Sequence, residues 1–521
     1  MTRLVEAAGK EILARAGIRI PPGKLASSAD EARRAAVEIG CPVAVKAQAL
    51  VTGRFGKGLV RFAETPDESA RIADDIIGRR VDTQTVERVL VEKRIPVACE
   101  MFAAVVIDEV ARAPVVVFAA VGGTGIEEIA REHPEAVARI PVDIREGVSA
   151  DAMREAALNA GVPAENADAV ADALVKLYAA FRACEARSLE ANPLVVTPDG
   201  AVVATDCHAV VDDYAVVRHP ELGIEMAREL DHAPSALERA AYACEKADYR
   251  GTFFFFQMAT GFSDADEYVG FHGAGGGGSM MSMDALIAEG FKPANFCDTS
   301  GNPPASKVYR AAKIILAQPN LVGYFASGSG VASQEQFHSA RGFVKAFREM
   351  NLSVPAVIRL GGNAEEIAID ILHKCCSDLN APLEAYGKDD SASFCAKRLR
   401  ALVDSFVPAS KPVAGISNPD APAEPYAFET VTGSVTFDHA KCRSCSDQVC
   451  IAACAPGILK LAGRAPVLSI STDDAMKGKC TECLACEIEC WARAKNAIRI
   501  DLPIPGYDEA VKEAARFGDP H

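Results

Sequence analysis

Two cysteine runs carry the most specific chemistry in this 521-residue chain. Cys480, Cys483, Cys486 and Cys490 follow one another at steps of three, three and four. Cys442, Cys445, Cys450 and Cys454 form an earlier run, with two extra residues between its second and third members. Eight thiolates in two such runs match the ligands that two [4Fe–4S] cubanes need. Pairs of C-x-x-C also hold structural zinc. Zinc sites do not usually add a third cysteine three residues on and a fourth beyond it, twice over, so the spacing favours iron–sulfur clusters. A second chemistry is carried by glycine. "YVGFHGAGGGG", "LVGYFASGSG" and "PAVIRLGGN" each read as a strand, then glycines, then a helix, which is the phosphate-binding pattern of an open parallel sheet. Gly275, Gly276, Gly328 and Gly330 are the loop positions where backbone N–H groups would meet a phosphate.

These groups need scaffolds, and the length allows three or four domains. Residues 1–235 alternate β-rich runs ("PVAVKAQAL", "RVLVEKRI", "PVVVFAAVGG", "AVVATDCHAV") with helical patterns ("DEARRAAVEIG", "ADAVADALVKLYAAFRAC"). Residues 236–405 repeat the strand–glycine–helix rhythm of a parallel sheet. Residues 406–430, rich in Pro, Ala and Ser, read as an extended linker. The cysteine module takes 431–505 and a charged tail 506–521. The net charge of −16 disfavours nucleic acid and anionic lipid as partners. No apolar run approaches the ~20 residues of a membrane span, and "FFFF" at Phe253–Phe256 reads as a buried strand. The N-terminus lacks the continuous apolar stretch of a signal peptide, which points to a cytoplasmic protein. In a reducing cytosol the nine cysteines outside the runs, Cys375–Cys376 among them, are expected as small buried apolar residues.

"CAPGIL" and "AKNAIRI", after the two runs, resemble bacterial two-cluster ferredoxins, in which the fourth cysteine of each run ligates the other cluster. The resemblance assigns Cys442, Cys445, Cys450 and Cys490 to one cluster, and Cys454, Cys480, Cys483 and Cys486 to the other. Trp491 stands where that pattern usually has proline. Residues 1–390 resemble the succinyl-CoA synthetase β subunit and the nucleoside-diphosphate-forming acyl-CoA synthetases. The resemblance rests on an ordered set: "VKAQALVTGRFGKG", "VEK", "GGTGIEEIA", "LEANPLVV", "ATDCHAVVDD", "FHGAGGGGSMMSMD", "KPANFCDTSG", "KVYRAAKIIL" and "AVIRLGGNAEE".

The implied fold is multidomain α/β. It comprises an ATP-grasp domain, a flavodoxin-like CoA-ligase domain with a parallel sheet, and a C-terminal ferredoxin-like α+β iron–sulfur domain. For ATP or ADP the resemblance implies Lys46 as phosphate lysine, Gly53, Arg54 and Gly56 as a phosphate loop, and Glu92 in the hinge strand beside adenine and ribose. Asn192 and Asp206 are the implied Mg²⁺ ligands, hard oxygens suited to that ion. Glu190 takes the catalytic position that meets a phosphohistidine. That histidine belongs to an α-like partner subunit, which also binds most of the CoA and faces the glycine loops of this chain. His208 and His272 match no such nucleophile. The family's "FGG…R" segment is replaced by "ASGSGVASQEQ" (326–336), so a second carboxylate loses its arginine and succinate is not the expected acid. Three functions follow. The first is an ADP-forming acyl-CoA synthetase β-like subunit carrying an electron-transferring ferredoxin module for a redox partner. The second is an ATP-dependent electron-transfer component driving a low-potential reduction. The third is a nucleotide-regulated scaffold.

Overall fold

The computed structural model describes residues 1–516 apart from 52, 82–83, 123–135, 231, 233, 260–264, 329, 409–414 and 417–420. The segment "GGTGIEEIA" therefore lies almost wholly outside the described residues. The chain forms two compact units, Met1–Ala233 and Pro234–His521.

Besides a two-stranded ribbon, Arg80–Val81 with Gln84–Thr85, the first unit contains two larger antiparallel sheets. Strands Gly23–Ala26, Val89–Lys93, Val43–Ala47 and Val60–Ala63 make the smaller one, in that spatial order. The larger has seven strands, with Ala186–Val196 near its centre between His208–Val211 and Cys99–Asp108. Helices Ala29–Ile39 and Pro66–Ile76 cover the small sheet. Each begins where a hydroxyl accepts the N–H three residues on, Ser28 from Glu31 and Thr65 from Glu68. Helix Glu6–Arg15 belongs with the large sheet, where its Ile12 and Leu13 join the same core as Leu174, Leu177 and Leu189.

The second unit is built on a seven-stranded sheet. Its spatial order runs Phe254–Gln257, Asn295–Asp298, Tyr268–Ala274, Leu321–Gly328, Ala356–Arg359, Leu383–Tyr386, with Lys292–Pro293 beside Tyr268–Ala274. Only the edge strand Phe254–Gln257 pairs antiparallel. Strand alternation sends Val269, Phe271, Phe325 and Val357 toward one face, where helices Gly276–Ala288 and Ala392–Ser405 pack. Tyr324, Ala326 and Ile358 point to the other, toward helices Ala305–Leu316, Phe337–Glu349 and Glu365–Cys376.

Two expectations are corrected. The proposed linker 406–430 contains strand Pro425–Glu429, which pairs with Ser434–Asp438, itself paired with Ile498–Asp501. Ile416, in the same stretch, is fully buried. The cysteine module is not a separate body on a tether. One apolar cluster runs from Val344 and Phe347 on the ligase-type helices to Phe437, Ile488 and Ile500. The second correction concerns "SGSG". The helix after it starts only at Phe337. The intervening residues lie along 361–363, with Ala332 bridging Gly362 and the Gln336 N–H donating to the Asn363 carbonyl. Gly328 and Gly330 therefore sit at a strand end and in a loop, with no helix terminus directly behind them.

Candidate functional site

In the first unit the chain gathers three cations and three carboxylates. Lys46 lies on a strand of the small sheet, Glu92 on the strand beside it, and Arg54 on the loop between Val43–Ala47 and Val60–Ala63. Asp206 lies in the turn between Val202–Ala204 and His208–Val211 of the large sheet. Lys46 Nζ stands 2.6 Å from Glu92 Oε1 and 2.9 Å from Glu6 Oε1, and donates to the Thr205 carbonyl at 2.6 Å. Arg54 gives Nη2 to both Asp206 oxygens at 2.8 Å and Nη1 to the Ala47 carbonyl at 3.1 Å. Lys10 Nζ reaches Glu6 at 2.6 Å and Glu92 at 2.5 Å.

Burial by itself would pull the Lys46 ammonium down, but Glu6, Glu92 and Asp206 hold it above its ordinary value. Burial would raise Glu6, yet Lys46, Lys10 and Arg54 hold its carboxyl well below the usual range. The arrangement holds Glu6 as a carboxylate and Lys46 as an ammonium. Glu92, expected in the hinge strand beside adenine and ribose, turns its carboxylate to Lys10 and Lys46. Glu6 and Lys10 were missed in the sequence. Their only local signal is an i, i+4 Glu–Lys pair, which is normally a solvated helix face.

The segments that carry Asn192 and Asp206 are joined at an irregularity. Strand Ala186–Val196 shifts register between Ala191 and Leu194, and the Thr205 N–H and hydroxyl both donate to the Pro193 carbonyl. Asp206 is held by Arg54, so a Mg²⁺ ion there would have to displace the guanidinium. Glu190 faces His208 across the ladder, and His208 is exposed. Gly53 adopts a left-handed φ of 64° in a loop open enough for a Cβ, while Gly56 follows in the same turn.

In the second unit, strand Tyr268–Ala274 ends at Gly275, whose φ of 92° starts helix Gly276–Ala288 directly. Asp298 accepts the Gly275 N–H at 2.9 Å. Ala274 lies opposite Gly328, so the two glycine loops are adjacent. The loop 326–336 has no arginine of its own, but Arg359 reaches it from the next strand. Its donors go to carbonyls, of Gly328 at 2.7 Å, Asp390 at 2.5 Å and Lys388 at 3.2 Å. His272 is enclosed, bonded to the hydroxyls of Tyr324 (2.7 Å) and Thr299 (3.1 Å).

The cysteines form two quartets. Cys442, Cys445, Cys450 and Cys490 line one cavity, and each lies within electrostatic reach of others in the set. Cys454, Cys480, Cys483 and Cys486 influence one another in the same way. All eight are free thiols. Burial, reinforced by neighbouring thiols, pushes Cys442 and Cys480 up to about 12. The Ala497 N–H points at Cys490 Sγ at 3.2 Å. Among the described residues no group of three or more His, Cys, Asp or Glu side chains is set to hold a single metal ion.

Carboxylates between these cysteines bind the ligase-type domain. Glu482 accepts from Arg250, from the Thr430 hydroxyl at 2.7 Å and from the Thr432 N–H at 2.7 Å. Glu487 accepts from Lys345 at 2.9 Å and from the Ile500 N–H at 2.9 Å. Arg310 donates to the Thr432 and Pro503 carbonyls, and Arg348 stacks on Trp491 at 4.4 Å.

Residues 3–196 match the ATP-grasp domain family. The chain is 37% identical over 369 residues to the β subunit of a GDP-forming succinate–CoA ligase of Thermus thermophilus, covering 71% of this chain and 93% of that one. It is 35% identical over 365 residues to the ADP-forming counterpart of Rubrobacter xylanophilus, covering 70% and 90%. In fold it resembles ATP citrate lyase from Methanothrix soehngenii, solved with citrate and coenzyme A, at a TM-score of 0.61 and 18% identity over 76% of this chain and 98% of that one.

Proposed function

The chain belongs to the family of succinate–CoA ligase β subunits, and from that premise we propose that it is the β-like subunit of an ADP-forming acyl-CoA synthetase. The reaction converts acid, CoA and ATP to acyl-CoA, ADP and phosphate through a phosphohistidine on an α-like partner. The observation that carries this reading is the ionic cluster of the first unit. Four positions nominated for nucleotide and metal (Lys46, Arg54, Glu92 and Asp206) converge there although they are scattered over 160 residues of sequence. Lys46 and Arg54 would bind phosphate, with the Gly53–Gly56 turn closing over it. Asn192 and Asp206 would hold Mg²⁺, which screens the phosphate charge when bound. Glu190 would orient the partner's histidine. CoA would lie mainly on the partner.

The adjacent loops at Gly275–Gly276 and Gly328–Gly330 support docking of that partner. So do Met280, Met281 and Val331, large apolar residues left exposed beside them. Among the described residues, Arg359 is the guanidinium that reaches 326–336 and its donors go to carbonyls, which supports an acid other than succinate. The cysteine quartets support two [4Fe–4S] clusters. Eight free thiols, sorted into two sets of four by the fold and backed by a backbone donor, match the donor chemistry of cubanes. Bound clusters would supply one-electron transfer toward a redox partner protein.

Incubation with γ-³²P-ATP and the partner should label a histidine on the partner, acid-labile and base-stable. Glu190→Gln should slow that labelling while iron content stays constant. Label on this chain alone, or ATP consumption without a partner, would overturn the subunit assignment.

A further inference from the structure

Helix Glu6–Arg15 contributes two groups to the ionic cluster that none of the nucleotide or metal assignments uses. Glu6 Oε1 lies 2.6 Å from Lys10 and 2.9 Å from Lys46, and its Oε2 lies 2.8 Å from Arg54 Nη1. One carboxylate thus touches both cations nominated for phosphate. Its side chain is 1% exposed. Despite the short distance, no N–H is aimed at Oε2, because Arg54 directs its donors to Asp206 and the Ala47 carbonyl. A buried acceptor without a donor is an unusual thing for a fold to retain. The helix cannot drift away from the lysine strand, since the Ala7 N–H is bonded to Gln48 Oε1 at 3.0 Å. Glu6, Lys10 and Asp206 come from the large-sheet side of the unit, and Lys46, Arg54 and Glu92 from the small-sheet side, so the cluster joins the two sheets.

We propose that Glu6 is a positioning residue that stands in for the nucleotide's phosphate, holding Lys46 and Arg54 between the two sheets and yielding them when nucleotide enters together with Mg²⁺. This rests on the nucleotide-binding reading above. The argument is one of charge. Lys10, Lys46 and Arg54 are balanced by Glu6, Glu92 and Asp206, so the cluster has no net positive charge to offer a polyphosphate. A phosphate approaching alone meets Glu6 at its binding cations and is repelled. A divalent cation arriving with it changes the exchange. Asp206 passes from Arg54 to the ion, the freed guanidinium turns to phosphate, and the phosphate takes the place of Glu6 on Lys46. Glu6 keeps Lys10 throughout. The latch therefore makes binding of metal and nucleotide mutually dependent.

The test is calorimetric titration of the full chain with ADP, with Mg²⁺ or with a chelator, comparing wild type, Glu6→Gln and Lys10→Met. The readout is the ratio of the affinity for Mg²⁺-free ADP to that for Mg²⁺·ADP, because simple structural damage weakens both and leaves the ratio unmoved. Glu6→Gln removes the competing charge and should raise the ratio on the order of tenfold. Lys10→Met leaves Glu6 to the remaining cations and should lower it. Opposite shifts support the proposal. An unmoved ratio in Glu6→Gln overturns it. If that variant does not fold, an unmoved or raised ratio in Lys10→Met does the same. Wild type that binds ADP in neither form would overturn the nucleotide reading and this inference with it, whereas binding with an unmoved ratio overturns this inference alone.

Discussion

At the scale of single residues, the enclosed His272 makes a pH-dependent claim. Burial lowers its imidazole from 6.5 to about 3. Below pH 6.5 the unfolded chain takes up a proton that the folded protein refuses until about pH 3. The unfolded state then binds more protons, so stability is present above pH 6.5 and lost as pH falls toward 3. At ~1.36 kcal/mol per unit the loss approaches about 5 kcal/mol. His272→Asn keeps polar atoms for Tyr324 and Thr299 but cannot titrate there. Urea unfolding between pH 7 and pH 4 should therefore show a flatter slope for the variant; equal slopes would mean that another group controls acid stability. Cys486 makes a compositional claim. Anaerobically purified wild type should hold about eight iron and eight sulfide per chain. Cys486→Ala should retain about half. Stoichiometric zinc without sulfide would remove the cluster reading altogether.

At the scale of elements, the contact that decides most is between helices Phe337–Glu349 and Ala485–Arg493. Lys345 of the first is almost wholly buried against Glu487 of the second, with Glu349 on its other side. Burial would lower the lysine, but the two glutamates hold it above its ordinary value. A buried pair of this kind adds little over an apolar pair of the same shape, whereas removing one partner strands the other charge and costs about 3–5 kcal/mol. Lys345→Met should lower stability by that amount in denaturant unfolding, and Lys345→Met with Glu487→Met should recover much of it. Additive losses would show that the two side chains do not depend on each other. Glu487 follows Cys486 directly in sequence, so this helix contact also fixes the second cysteine quartet.

At the scale of the second unit as a whole, the cysteine module completes the fold of the ligase-type domain. Phe428, Phe437, Ile488 and Ile500 share one apolar cluster with Val308, Val344 and Phe347. Gly478, at φ 100°, packs so closely that a Cβ would lie 2.6 Å from the Tyr249 hydroxyl. Truncation after Ser405 would uncover that cluster together with Arg250, Arg310 and Lys345. We expect the truncated chain to bind a hydrophobic dye, to aggregate, and to melt below the full-length protein. A truncated protein that melts like the parent would restore the picture of a tethered module.

The sequence by itself determined the chemistry that depends on local spacing. Ligand intervals specified which eight cysteines could serve clusters, whereas the crossed assignment of Cys454 and Cys490 came from the ferredoxin resemblance. Alternation and glycine placement located the parallel strands and the turn at Gly275, because pleat and helix periods act over a few residues. An ordered set of motifs identified the family. Tertiary structure alone decided how these parts are joined. Nothing in the local sequence singles out Glu482 or Glu487, yet Glu482 meets Arg250 from 232 positions away. Glu6 and Lys10 carry only the local signal of a helical i, i+4 pair, but they close the ionic cluster of the first unit. The late start of helix Phe337–Glu349 and the arrival of Arg359 at the glycine loop depend on a neighbouring strand end. Burial turns such charges from solvated groups into obligatory partners, and which residues are buried together is a property of the packed chain that no local pattern encodes.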